Sequence, residues 1–221
     1  MTVALLGGTG DIGEGLALRL AVDTDRRIII GSREVSKAQT AASEYKSRLA
    51  DRSTNAEITG AANAEAVDAA DIVILAIPPF HVGDTVESIA SQLDEQILVT
   101  PGVGMQGDDD GLHYHPPDTG SVTELIAERA PSDVPVVGAF HNLSAERLAD
   151  LDSELDLDTL IVGDDPDAKD KIRDLANEIV GLRALDAGPL ANAAEVESVT
   201  PLVINIARYS EGMQDVGVKF I

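Results

Sequence analysis

Residues 2–13 read Thr2-Val3-Ala4-Leu5-Leu6-Gly7-Gly8-Thr9-Gly10-Asp11-Ile12-Gly13. The short apolar run before the glycines is typical of a buried parallel strand, and from Ile12 to Leu20 an apolar residue recurs every fourth position, which predicts a helix. Gly8, Gly10 and Gly13 form a G-x-G-x-x-G motif. In this strand–turn–helix context the motif is typical of a site where a dinucleotide pyrophosphate lies against a helix N-terminus. A tight turn that binds no ligand is the alternative interpretation.

Alternating strand and helix patterns continue along the rest of the chain. Strands are predicted within residues 27–31, 57–59, 71–77, 96–100, 134–138, 160–163 and 182–185, and helices within residues 36–49, 61–69, 82–93, 121–129 and 167–180. Residues 104–120 read as a long polar loop. Residues 192–209 read as a helix that Pro201 interrupts, because proline lacks the amide hydrogen that a helix interior needs.

This alternation predicts the fold class. Mostly apolar strands separated by helices indicate an α/β protein with a doubly wound, mostly parallel sheet covered on both faces, a Rossmann-type dinucleotide-binding fold. We therefore expect a dinucleotide-binding domain over residues 1–186. Residues 187–221 are expected to form a short C-terminal helical segment that packs on this domain and contributes to a dimer contact.

The end of the second predicted strand indicates which dinucleotide is bound. NAD-binding sites usually place Asp or Glu there to accept hydrogen bonds from the ribose hydroxyls, whereas this strand ends in Gly31-Ser32-Arg33, with Lys37 one helical turn later. A guanidinium, an ammonium and a hydroxyl suit a 2′-phosphate, so the domain is expected to bind NADP. The alternative is that both cations merely lie on a solvated helix start. Asp11, inside the glycine turn, is expected to cap the first helix and to point its carboxylate away from the phosphates.

The composition excludes several classes of protein. The chain has 39 Asp and Glu against 16 Lys and Arg, a net charge of -23, so it lacks the clustered cations that nucleic-acid binding requires. Without cysteine it has no disulfide framework, thiolate metal site or thiol nucleophile, which agrees with a cytoplasmic protein. No segment has the apolar length of a membrane helix or the pattern of a signal peptide. The scattered acids indicate either an ordinary self-repelling surface or, as we favour, a halophilic adaptation to high salt.

Several motifs beyond the glycine turn make the chain resemble one known family. They are Gly15-Leu16-Ala17-Leu18-Arg19-Leu20, Gly31-Ser32-Arg33 with Lys37, Ile58-Thr59-Gly60, Ile77-Pro78, Leu185-Asp186-Ala187-Gly188-Pro189-Leu190, Glu197-Ser198, Thr200-Pro201-Leu202 and Gly217-Val218-Lys219-Phe220-Ile221. Over nearly its whole length the sequence resembles the NADPH:coenzyme F420 oxidoreductases, also called F420-dependent NADP reductases. The motifs near the C-terminus are more specific than the glycine turn, which many dehydrogenases share.

The resemblance implies that the protein transfers a hydride between reduced coenzyme F420 and NADP, directly from C5 of the deazaflavin to C4 of the nicotinamide. Such a transfer needs no catalytic side chain and no metal, because the protein has only to hold two rings together and exclude water. The residues that the resemblance assigns to cofactor binding are Thr9, Gly10, Asp11 and Ile12 for the pyrophosphate, Ser32, Arg33 and Lys37 for the 2′-phosphate, and Pro79, Val103 and Ala145 for the rest of the cleft.

Within that cleft, the resemblance implies that Pro79 lies near the adenosine half and that Val103 and Ala145 lie near the nicotinamide. The sequence departs from the family pattern at Asp11, where Asn is familiar, and at Pro79, where a bulky aromatic residue occurs. Stacking of a side chain on the cofactor is therefore not expected at Pro79.

The histidines have two interpretations each. His141 follows a predicted strand end, where it either contacts a cofactor or serves the loop and its packing. His81 is either a helix-start residue or a contact in the cofactor cleft. His113 and His115 lie in the acidic loop, where the absence of helical or strand spacing disfavours a metal site.

Two other functions are compatible with the glycine turn. One is an NADP-dependent reductase of similar architecture that acts on an imine or a 2-hydroxy acid, which the short segment after the last predicted strand disfavours. The other is a non-catalytic NADP-sensing protein, which the specific C-terminal motifs disfavour because a sensor has no need of a second-cofactor pocket.

Overall fold

A sheet of eight strands forms the centre of the protein, and two further strands form a separate small sheet. The computed structural model describes residues 1–52, 54, 56–213 and 216–221. Its strands are β1 (Thr2–Leu6), β2 (Arg27–Ser32), β3 (Ile58–Ala62), β4 (Ile72–Leu75), β5 (Ile97–Thr100), β6 (Met105–Asp108), β7 (Gly111–Tyr114), β8 (Val136–Gly138), β9 (Leu157–Gly163) and β10 (Leu182–Asp186). Its helices are α1 (Asp11–Asp23), α2 (Val35–Arg48), α3 (Asn63–Asp68), α4 (Pro79–Ile89), α5 (Val122–Arg129), α6 (Ala145–Ala149), α7 (Pro166–Glu178) and α8 (Ala193–Tyr209).

The strands of the large sheet lie in the order β10-β9-β8-β5-β4-β1-β2-β3. Neighbouring strands are parallel except β8 and β9, which run antiparallel. From β1 the chain builds outward through β2 and β3, and it then returns with β4 on the other side of β1. Sheets of this kind bind ligands at such a reversal, beyond the carboxyl ends of the strands. The predicted α/β, doubly wound and mostly parallel fold is confirmed.

Both faces of the central strands are buried, which explains their unbroken apolar runs. Along β1, Val3 and Leu5 belong to the hydrophobic core on one face, and Ala4 and Leu6 to the core on the other. All four side chains are fully shielded from solvent. A strand that is apolar on both faces suits a parallel sheet covered by helices on both sides. Because both faces of β1 are packed as far as Leu6, the glycine turn begins at the next residue, Gly7.

Residues 104–120 are not the long polar loop that the sequence pattern indicated. β6 and β7 lie within them and pair as an antiparallel hairpin, although all four residues of β6 are exposed. α8 stabilises this hairpin through Asn205, whose side chain accepts from the Leu112 amide (2.9 Å) and donates to the Leu112 carbonyl (2.7 Å). Because Asn205 lies far along the chain, no local pattern within the segment reveals the pairing.

The prediction that Pro201 interrupts the C-terminal helix is wrong. α8 runs from Ala193 to Tyr209 with the proline buried inside it. Glu197 and Asn205, one turn before and one turn after Pro201, are hydrogen-bonded to α5 and β7 respectively. Contacts on both sides of the proline hold the helix together although one backbone hydrogen bond is missing.

Candidate dinucleotide site

The glycine turn joins β1 to α1 at the point where the sheet reverses. Gly7 has a φ of +77°, and a Cβ there would lie 2.3 Å from the Ala76 carbonyl oxygen. A Cβ on Gly13 would lie 2.6 Å from the Gly8 Cα. The first turn of α1 can therefore pack this closely against the glycine turn only because residue 13 has no side chain. The Gly10 amide donates to the Gly7 carbonyl (2.9 Å) and closes the turn. The glycines therefore bring the backbone itself close to anything bound beyond β1.

Asp11 does not cap the first helix as the sequence led us to expect. The N-cap is Gly10, which has an extended conformation and no side-chain cap hydrogen bond. Asp11 is the first helical residue, and its side chain is exposed. Since no side chain caps α1, the amides of its first turn retain their hydrogen-bonding capacity for a ligand, and the helix dipole adds positive potential there. Ile12 continues this first turn.

A first cavity of about 400 Å³ opens beside the glycine turn. Its lining comes from the glycine turn, the end of β2, the start of α2, the first residue of α3, the segment after β4, and α4. It comprises Gly7, Thr9, Gly31, Ser32, Arg33, Glu34, Lys37, Asn63, Ile77, Pro78, His81, Asp84, Thr85 and Ser88. The structure thus brings together four of the residues assigned by resemblance: Thr9, Ser32, Arg33 and Lys37. Pro79 is the first residue of α4 and adjoins this lining through its neighbour Pro78.

Arg33 has no partner within the part of the chain that the structure describes. The other ten arginines each have an ion pair, a hydrogen bond or an aromatic contact. Beside Arg33, the Lys37 ammonium pairs with Glu34 (Nζ to Oε1, 2.6 Å), and Ser32 Oγ accepts from the Glu34 amide (3.2 Å). An exposed and unpaired guanidinium in so acidic a protein is available to an anion from outside the chain.

Asn63 contributes an unused hydrogen-bond acceptor to the same cavity. Its Oδ1 is buried and has no hydrogen-bond partner among the described residues, and a Cβ on Gly31 would lie 3.1 Å from it. Leaving a buried acceptor without a donor costs on the order of 1–3 kcal/mol. A ligand that carries hydroxyl or amino groups, such as a nucleoside, would supply the missing donor.

Ala145 lies in a second cavity, at the start of the short helix α6, which the sequence pattern did not reveal. This cavity measures about 380 Å³, and its mostly apolar lining comprises Asn142, Leu143, Ser144, Ala145, Glu146, Thr200, Val203, Ile204, Ala207 and Val216. α6 packs so closely on α1 that a Cβ on Gly15 would lie 2.6 Å from the Leu148 Cβ. The buried Arg19 side chain fixes this contact by donating to main-chain carbonyls of α6 and of the loop after it. Ala145 is therefore near the first turns of α1 but outside the first cavity.

Two further candidate residues follow the ends of β5 and β8. Val103 is buried just after β5 and lines neither cavity. His141 is buried just after β8, and burial lowers its pKa to about 3, so the imidazole is neutral. Its Nε2 lies 3.5 Å from Thr123 Oγ1, while its Nδ1 has no partner among the described residues. The preceding residue, Phe140, has a φ of +68°, a strained conformation that is concentrated at functional sites.

The other histidines lie in different surroundings. His81 belongs to the first turn of α4 and also lines the first cavity, so its two interpretations are compatible. His113 pairs with Asp108 within the hairpin (Nε2 to Oδ1, 3.1 Å). His115 donates its amide to the Gly104 carbonyl (2.9 Å) at the base of the same hairpin.

Glu197 on α8 is a functional candidate that sequence reasoning missed. It is 0% exposed and accepts hydrogen bonds from the Val122 amide (3.0 Å), the Thr123 amide (2.9 Å), Thr123 Oγ1 (2.9 Å) and the Tyr114 hydroxyl (3.2 Å). Burial raises the pKa of this carboxyl, and the four hydrogen bonds oppose the rise. Glu197 thereby joins α8 to the start of α5 and to the hairpin, next to His141. Only the resemblance marked this position, because its partners are distant in sequence.

His141 makes stability depend on pH. Its pKa in the folded protein is about 3, against 6.5 for the unfolded side chain, so the unfolded state binds the proton more readily between these values. Its contribution is complete above the unfolded pKa and is lost as the pH falls. We expect the difference in free energy of unfolding between wild type and His141→Gln to shrink by about 2 kcal/mol from about pH 7 to pH 5.

Urea unfolding at both pH values measures this difference. His113→Gln, which removes a half-exposed histidine from the hairpin, is the control and should change little between the two conditions. The comparison with wild type cancels the titration of carboxylates remote from the replaced histidine. An equal gap between wild type and His141→Gln at both pH values would contradict the prediction.

Fold and site together define a Rossmann-type dinucleotide-binding protein. Residues 2–104 match the family model for NADP oxidoreductase coenzyme F420-dependent proteins. An F420-dependent NADP reductase of Methanocaldococcus jannaschii is 42% identical over 217 residues, which cover 96% of each chain. That of Methanothermobacter marburgensis is 38% identical over 209 residues, which cover 93% of this chain and 92% of the relative. The chain belongs to the F420-dependent NADP reductase family.

A solved structure agrees with the fold. A crystal structure of an Arthrobacter protein superimposes with a TM-score of 0.80, covering 99% of this chain and 98% of the other at 23% identity. At that identity the likeness concerns the architecture alone.

Proposed function

We propose that this protein transfers a hydride between reduced coenzyme F420 and NADP, the reaction for which its relatives are named. The observation that carries the proposal is the Arg33 guanidinium, which lines the first cavity just after β2 and has no partner among the described residues. It stands in a chain of net charge -23. A 2′-phosphate placed there would gain Arg33, the Lys37 ammonium and the Ser32 hydroxyl together. Charge-assisted hydrogen bonds of this kind are about twice as strong as neutral ones.

The adenosine half of NADP fits the first cavity. Its pyrophosphate would lie against Thr9, Gly10, Asp11 and Ile12, where the glycine turn has no bulk and α1 has no side-chain cap. It would accept from the backbone amides of Thr9, Asp11 and Ile12, while the Gly10 amide keeps the turn closed. The unused Asn63 Oδ1 supports a donor-bearing nucleoside in this position. Pro79 would lie beside the adenosine half without stacking on it.

The nicotinamide half would extend toward Val103 and Ala145, with the deazaflavin in the second cavity. Support comes from α6, which connects α1 to that cavity, and from the apolar lining that ring-shaped ligands require. Bound together, the two groups supply the chemistry, a hydride passing between C5 of the deazaflavin and C4 of the nicotinamide. The chain contributes orientation and the exclusion of water. The α1 amides hold phosphates, and Arg19 holds α6 in place as the wall between the sites. No catalytic side chain and no metal enter this proposal.

The remaining proposals concern the oligomeric state of the protein and the division of its chain into a domain and a C-terminal segment. α8 exposes the apolar side chains of Leu202, Ile204, Ile206 and Tyr209, which supports a homodimer contact there. We keep the division between an NADP-binding domain, residues 1–186, and a C-terminal segment, residues 187–221, because β10 ends at Asp186 and α8 then packs on β7, β9 and α5. The mass in solution tests the dimer.

The charge supports a halophilic protein with no nucleic-acid partner, and the lack of cysteine supports the cytoplasm as its location. Among the helices that the structure describes, none combines the length and apolar character needed to cross a bilayer.

The decisive experiment mixes the protein with reduced F420 and either NADP or NAD, at low and at molar salt. We expect oxidised F420 and NADPH to appear in equal amounts with NADP, and little turnover with NAD. Binding of NADPH without any hydride transfer would favour a sensor. Turnover with NAD but not with NADP would contradict the assignment of Arg33 and Lys37.

A further inference from the structure

Glu34 is an acid inside the cluster of groups proposed for the 2′-phosphate. It lies between Arg33 and the first residue of α2, and it lines the first cavity together with Lys37. Its carboxylate pairs with the Lys37 ammonium at 2.6 Å, and the two side chains are 62% and 63% exposed. Its amide also donates to Ser32 Oγ (3.2 Å). Of the three groups assigned to the phosphate, only Arg33 is therefore free of Glu34.

Among the described residues, the Glu34 carboxylate has Lys37 as its one partner. Glu34 is the N-cap residue of α2 but makes no side-chain cap hydrogen bond. Glu34 and Lys37 are three residues apart, and their ion pair is solvent-exposed. Exposed pairs of this kind contribute little to stability. What the carboxylate does change is the local charge, since it halves the excess of positive charge from Arg33 and Lys37.

We propose that Glu34 sets the preference of this site for 2′-phosphorylated coenzymes by competing with the phosphate for Lys37. The inference rests on the proposed NADP site. A bound 2′-phosphate must displace Glu34 from Lys37 and must then lie near the Glu34 carboxylate, which is also an anion. The affinity for the phosphate is therefore lower than Ser32, Arg33 and Lys37 would give without Glu34. The preference for NADP over NAD is correspondingly reduced.

Salt weakens this competition. The Debye length falls from about 10 Å at 0.1 M to about 3 Å at 1 M salt, so the repulsion between Glu34 and the phosphate is screened at high ionic strength. The exposed ion pair with Lys37 is weakened in the same conditions. Glu34 thus makes the NADP affinity of the wild type fall less steeply with salt than it would fall without this carboxylate.

Calorimetric titration of the full chain with adenosine 2′,5′-bisphosphate and with AMP tests the inference without hydride transfer. The ratio of the two affinities isolates the 2′-phosphate. We expect Glu34→Gln to increase this ratio about threefold to tenfold at low salt, and the gain to shrink at molar salt. Glu95→Gln is the control, because it removes the same charge from an exposed position just before β5. That position lies at the end of the sheet where the parallel strands begin, opposite to the end that carries the first cavity.

The outcomes separate the two levels of the argument. If wild type prefers the bisphosphate but Glu34→Gln leaves the ratio unchanged or lowers it, the role of Glu34 is wrong and the NADP site stands. An equal gain in Glu95→Gln would show an effect of net charge and would also overturn the role of Glu34. If wild type shows no preference for the bisphosphate, the NADP site and the inference fall together.

Discussion

Arg33→Ala is expected to raise the KM for NADP about 10- to 100-fold while leaving kcat within about twofold of the wild type. Arg33 would contact the 2′-phosphate, which is remote from the carbon that accepts the hydride. Its contribution to binding is therefore equal in the ground state and in the transition state, and such uniform binding affects KM alone. Initial rates with NADP varied at saturating reduced F420 measure both constants.

Lys46→Ala provides the matched control for Arg33→Ala. Lys46 is exposed in the last turn of the same helix that carries Lys37, and it does not line the first cavity. Removing it changes the net charge equally but leaves the site intact, so its KM should stay near the wild-type value. A fall in kcat with unchanged KM in Arg33→Ala, or an equal rise of KM in Lys46→Ala, would contradict the proposed position of the 2′-phosphate.

The first cavity could be predicted from sequence because its parts are local signals. Thr9 and the glycines belong to one strand–turn–helix segment, and Ser32, Arg33 and Lys37 to the next. Parallel pairing of β1 and β2 aligns Leu6 with Gly31, so the two segments meet at the carboxyl edge of the sheet without any further information. Even there a local detail differed, since Gly10 and not Asp11 occupies the N-cap.

The second cavity could not be predicted in the same way. Its walls come from α6 and α8, and α6 is held by Arg19, a residue more than a hundred positions earlier in the chain. The hairpin of β6 and β7 likewise depends on Asn205. Side-chain contacts of this range leave no periodic trace in the sequence. These distant contacts explain why the sequence pattern predicted a loop over residues 104–120 and a helix break at Pro201.

The acidity of the chain constrains how it binds two anionic partners. A net charge of -23 repels both over long distances, so attraction must come from Arg33, Lys37 and the start of α1 at short range. Close contacts are screened less than a distributed field. High salt therefore removes more of the repulsion than of the binding, which links the halophilic proposal to the same few groups.

Glu197→Ala is expected to destabilise the protein by about 3–5 kcal/mol, because several buried donors lose their shared acceptor at once. The change leaves the amides of Val122 and Thr123 and the Thr123 hydroxyl without the buried carboxylate that accepts from them. The Tyr114 hydroxyl also loses Glu197 but keeps the Gly120 carbonyl as an acceptor (3.1 Å). Each unsatisfied donor costs on the order of 1–3 kcal/mol unless the structure relaxes. For a chain of this size the loss corresponds to a fall in Tm of roughly 6–20 °C.

Glu195→Ala separates this effect from a general change in α8. Glu195 lies on the same helix, is exposed, and carries the same charge, so its removal should change the free energy of unfolding by less than about 0.5 kcal/mol. Thermal and urea unfolding of both variants at one fixed salt concentration measure the difference. Similar stabilities would mean that Glu197 does not hold α5, α8 and the hairpin together. A large difference would show that one buried carboxylate holds α8, which lines the second cavity, against α5 and the hairpin. The first cavity does not contain Glu197. NADP binding there should therefore survive at temperatures where Glu197→Ala remains folded.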